Sequence, residues 1–467
     1  MGSLLVIIVL DSVPNHMPAT DTNMSPSDPT NTSDAVSFHG SEEPEVDDFL
    51  PATNAINLEA LALVSLEVRK KHAIGGSSKV IDEALSCSVQ TPPWQGSFNL
   101  VYAIIFSDGI KWVARIPGSA ASTFGPLDAR RMVSDIQTMS LIRSTTSIPM
   151  PEVFAWEVES NAVGVPYILE AFMEGNLLSE RWDDGSWSTE DKRLKTLRSL
   201  AQVMSKLHKL RFDAIGALVC DQTTHVGEMV KVDRDLEKIM EGGSVWGTTS
   251  SIGPFATTRV WLLHNLDDSI KGHPTGEEAE LQLLRLAIES IPSRLDAGGS
   301  FVLGHPDFNY QNIFVDDNGN VTGIIDWDGV QTRPRALGFA CYPSWITRDW
   351  DPVMYGYGIP DCREEDSPEA LLRYRRAYAA AFEEVQLPTS AYSPDDTALS
   401  QILEAIEIAV ENRICRPWII QRLLEHAFDS RVPFTFPDFF KAFEAGTAGN
   451  WVIEVREAFG KMWHREA

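Results

Sequence analysis

The stretch FVLGHPDFNYQNIFVDDNGNVTGIIDWD, residues 301–328, constrains this chain more than any other. Apolar Phe301, Val302 and Leu303 lead into His305, Asp307, Asn309, Gln311 and Asn312, and the chain turns apolar again at Ile313, Phe314 and Val315. Short apolar runs bounded by Gly, Asn and Asp read as strands, so the polar residues occupy a loop between two of them. The runs "NIFV" and "VTGIID" then pair as a hairpin across "DDNGN".

Phosphoryl transfer asks a protein for positioning and charge stabilisation rather than covalent chemistry. One carboxylate must orient the attacking hydroxyl; an amide oxygen and a second carboxylate must hold Mg²⁺ against nucleotide phosphates. His305, Asp307, Asn312 and Asp326 meet that need, with Asp307 in the loop, Asn312 at its far end and Asp326 at the exit of the next strand. Asp328, two residues on, reads either as a further partner of the metal site or as a solvated turn carboxylate. An isolated His-x-Asp is usually structural; Asn312, Asp326 and a β-rich region upstream give it its meaning.

That upstream region begins with an amphipathic pattern at Ile56–His72, after which "SFNLVYAIIF" and "IKWVARIP" read as a hairpin turning at Ser107–Gly109. A helical stripe follows over Leu127–Arg143, then two strands, "IPMPEVFAWEVE" and "VPYILEAFMEG". Beyond Gly175 helices dominate: a capped pattern opens at Ser188 and Thr189, and further amphipathic stretches lie at 277–295, 367–385, 397–412, 416–429 and 437–463. The fold class expected is α+β and two-lobed: a small β-rich N-lobe over 53–174 and a larger, mainly helical C-lobe over 175–467. The C-lobe carries the loop 303–316 and the strand end 324–328. Residues 1–52, acidic and rich in Ser, Thr and Pro, have too little apolar surface to offset ordering entropy and read as a disordered tail.

The segment HPDFNYQNIFVDDNGNVTGIIDWD resembles the H-x-D-x-x-x-x-N and I-D-W-D/E signatures of the aminoglycoside phosphotransferase family, in its fungal form, within the protein-kinase-like superfamily. "TSIPMPEVFAW", "PYILEAFMEGNLL", "MSKLHKLRFDAIGAL" and "PRALGFACYPSWITRDWDP" are similar to further landmarks of that family, in the expected order across residues 80–355. The resemblance implies a two-lobed kinase-like fold, ATP and Mg²⁺ as cofactors, Asp307 as the catalytic Asp with His305 buttressing its loop, and Asn312 and Asp326 as metal ligands. It sets Arg115 against the nucleotide phosphates and pairs it with Asp135 of the helix. It places Gly96, Ser97 and Phe98 in the loop over the phosphates. Three residues depart from the pattern: Arg115 replaces the usual Lys, Asp135 is one methylene shorter than the usual Glu, and the phosphate loop holds the single Gly96.

The function expected is transfer of the γ-phosphate of ATP to a hydroxyl of an amino sugar, amino alcohol or secondary metabolite. The alternative is a nucleotide-binding pseudokinase that acts as scaffold or regulator. A protein kinase fits less well, since "DWD" stands for D-F-G and no A-P-E segment follows. The formal charge of −27, from 39 basic and 66 acidic residues, repels nucleic acid and anionic membrane and weakly favours a cationic acceptor. No obligate protein partner is evident. Five scattered cysteines without metal-site spacing fit a reducing compartment, and "LLVIIVL" is too short to span a bilayer, so the location expected is cytoplasmic. His208 reads as a structural histidine at a helix end, and Trp345, Asp349 and Trp350 as packing beneath the site.

Overall fold

In the computed structural model the described residues are 47–76, 85–234, 239, 243–270, 277–296, 301–359 and 365–464. Two apolar-rich strands, β3 (Asn99–Phe106) and β4 (Lys111–Pro117), form the centre of a six-stranded antiparallel sheet. Gly109 adopts φ +86° in the tight turn between them, which only a residue without Cβ tolerates easily. The order across the sheet is β1 (Cys87–Val89), β3, β4, β6 (Tyr167–Ala171), β5 (Val153–Glu157), with β2 (Trp94–Gln95) added beside β3. Helices α1 (Leu50–Ala55) and α2 (Leu58–Gly76) precede the sheet, and α3 (Pro126–Thr145) links β4 to β5. Pro126 begins α3, and the Asp128 carboxylate accepts from the Gly125 N–H at 2.9 Å, so the helix starts where its sequence directs.

The remainder is mainly helical. The helices Glu190–Met204 and Pro368–Glu384 pack together around buried Trp182, Tyr374 and Tyr378. The helices Thr258–Ile270, Glu278–Glu289, Ser400–Glu411, Arg416–Ala427 and Gly449–Met462 build a second core around Trp261, Phe439 and Trp463. The chain is therefore α+β and two-lobed, with the loop 303–316 in the helical lobe facing the sheet.

Four details differ from the sequence expectations. Order begins before the tail's expected end: Phe49 is buried against Trp246, ring centroids 5.2 Å apart, and the Asp48 carboxylate accepts from the Val245 N–H at 3.0 Å. Residues 1–46 of the expected tail, and Cys362, lie outside the described residues. The helical lobe also holds strands that periodicity did not disclose, including the hairpin Met229–Asp233 with Thr248–Ile252, and the unanticipated helix Thr258–Ile270. The stretch 437–463 divides into the helices Phe436–Glu444 and Gly449–Met462, because Gly446 takes φ +68° and ends the first.

Candidate functional site

The loop 303–316 and the hairpin behind it are joined through one peptide unit. Ile313 pairs with Ile324 across the hairpin, which brings residue 325 beside Asn312. The Ile325 N–H donates to the Asn312 carbonyl at 2.9 Å, and the Ile325 carbonyl accepts from His305 Nε2 at 2.8 Å. His305 Nδ1 accepts from the Asp307 N–H at 3.2 Å, so the ring is the neutral Nε2–H tautomer. Burial holds His305 below its ordinary pKa, against the opposing pull of Asp307. Buried Trp327 lies edge-on to it at 4.7 Å.

Asp307 is held from two sides. Asn312 Nδ2 donates to its carbonyl at 2.9 Å and to its Oδ2 at 3.0 Å, and Gln311 Nε2 donates to the same Oδ2 at 3.1 Å. With its N–H group engaged there, Asn312 retains its amide oxygen as the ligand it can offer. Asp326 follows Ile325 with φ +63°, a left-handed conformation that Asp tolerates better than most residues. The "DDNGN" turn behind it is closed by Asp316, whose Oδ1 accepts from the N–H groups of Asn318 and Asn320 at 2.9 and 2.8 Å.

Arg115 reaches this site from the sheet, but its partners differ from the expected one. Its Nη2 lies 2.9 Å from Asp326 Oδ1 and 2.6 Å from Asp328 Oδ2, and its Nε lies 3.7 Å from Glu170 Oε1. Asp135 makes no ion pair with Arg115; its Oδ2 accepts from the Gly329 N–H at 2.9 Å. Its shorter side chain is spent on the turn after "DWD", and the acid beside Arg115 comes from β6 instead. Val113 stands opposite Glu170 and Arg115 opposite Ile168, so Arg115 and Glu170 share one face of the sheet as diagonal neighbours. Asp328 is engaged rather than free: besides Arg115 it accepts from Asn99 Nδ2 at 3.0 Å, which ties the end of the loop Gly96-Ser97-Phe98 to the carboxylate pair.

The charges shape one another. Burial acts to lower the Arg115 pKa, but Asp328, Glu170 and Asp326 outweigh it and keep the guanidinium charged. Burial pushes Glu170 up to about 7 despite Arg115. Asp326 keeps 44% of its side-chain surface exposed, yet desolvation, with Asp328 and Asp307, pushes it up to about 6. Burial also tends to raise Asp328, yet Arg115, Asn99 and Arg131 more than reverse that and its pKa falls. Asp135 is raised well above the usual carboxylate range by burial and by Asp328.

The structure thus gathers His305, Asp307, Asn312, Asp326 and Arg115, with the turn Gly96–Asn99, closed by a Gly96 N–H to Asn99 carbonyl bond of 2.9 Å, attached through Asn99. It leaves Asp135 one step removed, on Gly329. Glu170, Gln311 and Asn99 were not singled out from the sequence; a lone acid inside the apolar run "YILEA" was the available signal for the first. His208 is satisfied locally, Nδ1 to the Ser205 carbonyl at 2.8 Å. Trp345 and Trp350 are buried, with Trp345 stacked on Tyr310 at 5.7 Å, and Asp349 forms a buried ion pair with Arg375 at 2.6 Å.

Residues 89–387 match the family model described as the phosphotransferase enzyme family, and the chain belongs to that family. It is 35% identical over 312 residues to a subtelomeric hrmA-associated cluster protein of Aspergillus fumigatus, covering 55% of this chain and 60% of that one. It is 25% identical over 325 residues to altered inheritance of mitochondria protein 9, mitochondrial, of Saccharomyces cerevisiae, covering 56% of this chain and 50% of that one. The matches thus span between half and three-fifths of these relatives. Among solved structures, a putative aminoglycoside phosphotransferase from Ralstonia eutropha aligns over 88% of this chain and 98% of its own, with 13% identity and a TM-score of 0.43. A thermostable mutant of aminoglycoside phosphotransferase APH(4)-Ia, in ternary complex with AMP-PNP and hygromycin B, covers 84% and 98% with 14% identity and a TM-score of 0.37. The yeast relative's name includes "mitochondrial", which does not fit the plainly cytoplasmic expectation. Among the described residues no helix is long and apolar enough to cross a membrane.

Proposed function

We propose that this chain is an ATP-dependent small-molecule kinase that transfers the γ-phosphate to an acceptor hydroxyl on an amino sugar, amino alcohol or secondary metabolite. The observation that carries the reading is the joining of Asp307, Asn312 and Asp326 through the Ile325 peptide. In it Asp307 orients the acceptor hydroxyl and takes its proton as the new O–P bond forms and the bond from the γ-phosphorus to the bridging oxygen breaks, releasing ADP. Gln311 and Asn312 keep its carboxylate aimed, and His305 fixes its backbone.

The donors present fit magnesium. Asn312 offers an amide oxygen and Asp326 a carboxylate, and Mg²⁺ favours one or two such protein ligands with phosphate and water completing its shell. When bound, the ion neutralises charge on the β and γ phosphates. Arg115 grips the phosphates in this reading, on leaving its present bonds to Asp326 and Asp328. The chain's charge of −27 favours a cationic acceptor.

The test is turnover of Mg²⁺-ATP against a panel of amino alcohols and amino sugars, read as a mass gain of one phosphate. Asp307→Asn is expected to lower turnover by about 10²–10⁴-fold while nucleotide still binds. Mg²⁺-dependent nucleotide binding that survives Asp326→Asn would remove the metal assignment. A second reading, a nucleotide-binding scaffold, draws support from Arg115, which occupies the Asp326–Asp328 pair and lacks the helix acid. It gains if the protein binds ATP without turning it over and Asp307→Ala binds equally well.

A further inference from the structure

We propose that Arg131 and Arg234 form a second cationic grip on the nucleotide polyphosphate, beside the loop Gly96–Asn99 and in addition to Arg115. The inference rests on the nucleotide-binding reading above. Arg234 directly follows the strand Met229–Asp233, whose hairpin is laid from the helical lobe onto α3: Arg130 Nη2 donates to Ser251 Oγ at 2.7 Å, and its Nη1 lies 3.5 Å from Glu228. The far end of the hairpin is anchored where Trp246 meets Phe49 and Val245 meets Asp48. Gly247 passes so close that a Cβ there would lie 2.3 Å from the Asp233 carbonyl and 3.0 Å from Arg234 Cγ. Arg234 is thereby set against the phosphate loop, its guanidinium carbon 4.3 Å from the centre of the Phe98 ring.

Arg131 lies on α3 one turn before Asp135, on the same helix face. Its charge is felt by Asp135, Asp328 and Arg234 alike. Among the described residues neither arginine forms an ion pair, whereas the neighbouring Arg130 does. The carboxylates nearest Arg131 are committed elsewhere, Asp135 to the Gly329 N–H and Asp328 to Arg115 and Asn99. Arg234 Nε is buried without a hydrogen-bond partner. Burial and the repulsion of Arg131 push the Arg234 guanidinium down to about 10.

A chain with 66 acidic residues against 39 basic ones could readily have paired these two arginines. Arg234, partly desolvated, in no ion pair among the described residues and set against Phe98, presents a free guanidinium edge, and Arg131 on α3 adds its positive charge; together they suit an anion. Their forked donors match phosphate oxygens. The contact of Arg234 with Phe98 of the phosphate loop favours the polyphosphate of the nucleotide over an anionic group on the acceptor.

Calorimetric titration of the full-length chain with ATP, tripolyphosphate and adenosine tests this, using wild type, Arg131→Gln, Arg131→Lys and Arg234→Gln. Each Gln variant is expected to weaken ATP and tripolyphosphate by roughly tenfold or more and to leave adenosine unchanged, while Arg131→Lys keeps part of the affinity. Unchanged ATP affinity in both Gln variants overturns the inference alone, as does an equal loss for ATP and adenosine. Absence of ATP binding to wild type overturns the nucleotide reading and this one with it.

Discussion

Arg115 and Glu170 lie on one face of adjacent strands, 3.7 Å apart and both buried, in the place where a helix acid was expected to meet the base. Removing that acid leaves a buried guanidinium short of one partner. Glu170→Ala is expected to cost about 1–3 kcal/mol of stability and to weaken ATP binding. Asp135→Asn keeps an oxygen for the Gly329 N–H and should cost less than about 1 kcal/mol. Denaturant midpoints and ATP titrations of the two variants check the contrast, and a larger loss from Asp135→Asn would return the pairing role to the helix.

His305 is locked as the Nε2–H tautomer by what each nitrogen touches. Its ¹⁵N resonances should therefore show one neutral tautomer across the range in which an ordinary histidine titrates, near pH 6.5. His305→Ala strands the Asp307 N–H and the Ile325 carbonyl and should cost about 2–4 kcal/mol. An imidazolium signal already present at pH 7 contradicts the assignment.

Gly319 closes the hairpin that carries Asp326, with φ +80°, and a Cβ there would stand 2.9 Å from Thr196 Oγ1 and 3.2 Å from the Lys192 carbonyl. Backbone strain and the close approach act together in Gly319→Ala, which should lower stability by about 1–3 kcal/mol by thermal or chemical unfolding. A neutral result would mean the helix Glu190–Met204 yields more readily than its packing suggests.

Glu404 is pushed up from 4.5 to about 7 by burial first and by Glu407 second. The folded protein thus holds this proton more tightly than the unfolded chain. Stability contributed by the protonated group is present below the unfolded value and is lost as pH rises through about 7. Glu404→Gln should therefore be the more stable protein at pH 8, by on the order of 1–3 kcal/mol, with the advantage shrinking towards pH 4.5. Paired melts at the two pH values decide it; an advantage that grows on acidification runs against the argument.

Much of the site was legible because its parts are contiguous. His305, Asp307, Asn312 and Asp326 fall within one strand–loop–hairpin, and the alternation of apolar and polar residues located them. Arg115 was reachable through its strand. Its true neighbours were not, since Glu170 is brought opposite Val113 by strand register, a relation between segments that periodicity within one segment does not carry. Asp135 misled for a related reason: its helix was read correctly, but which neighbour its carboxylate meets, here the Gly329 N–H, is set by how that helix packs on the turn after "DWD". The hairpin bearing Arg234 is short, polar in part and set among helices, so its strand pattern gave little signal against its surroundings.

The joining of the loop to the hairpin at Ile325 uses only that residue's main-chain N–H and carbonyl. Substitution at position 325 cannot delete either group, short of proline. The alignment of Asp307 with Asp326 is consequently insulated from side-chain drift at the very point that enforces it, and an engineer could alter the side chain of residue 325 without uncoupling the two acids.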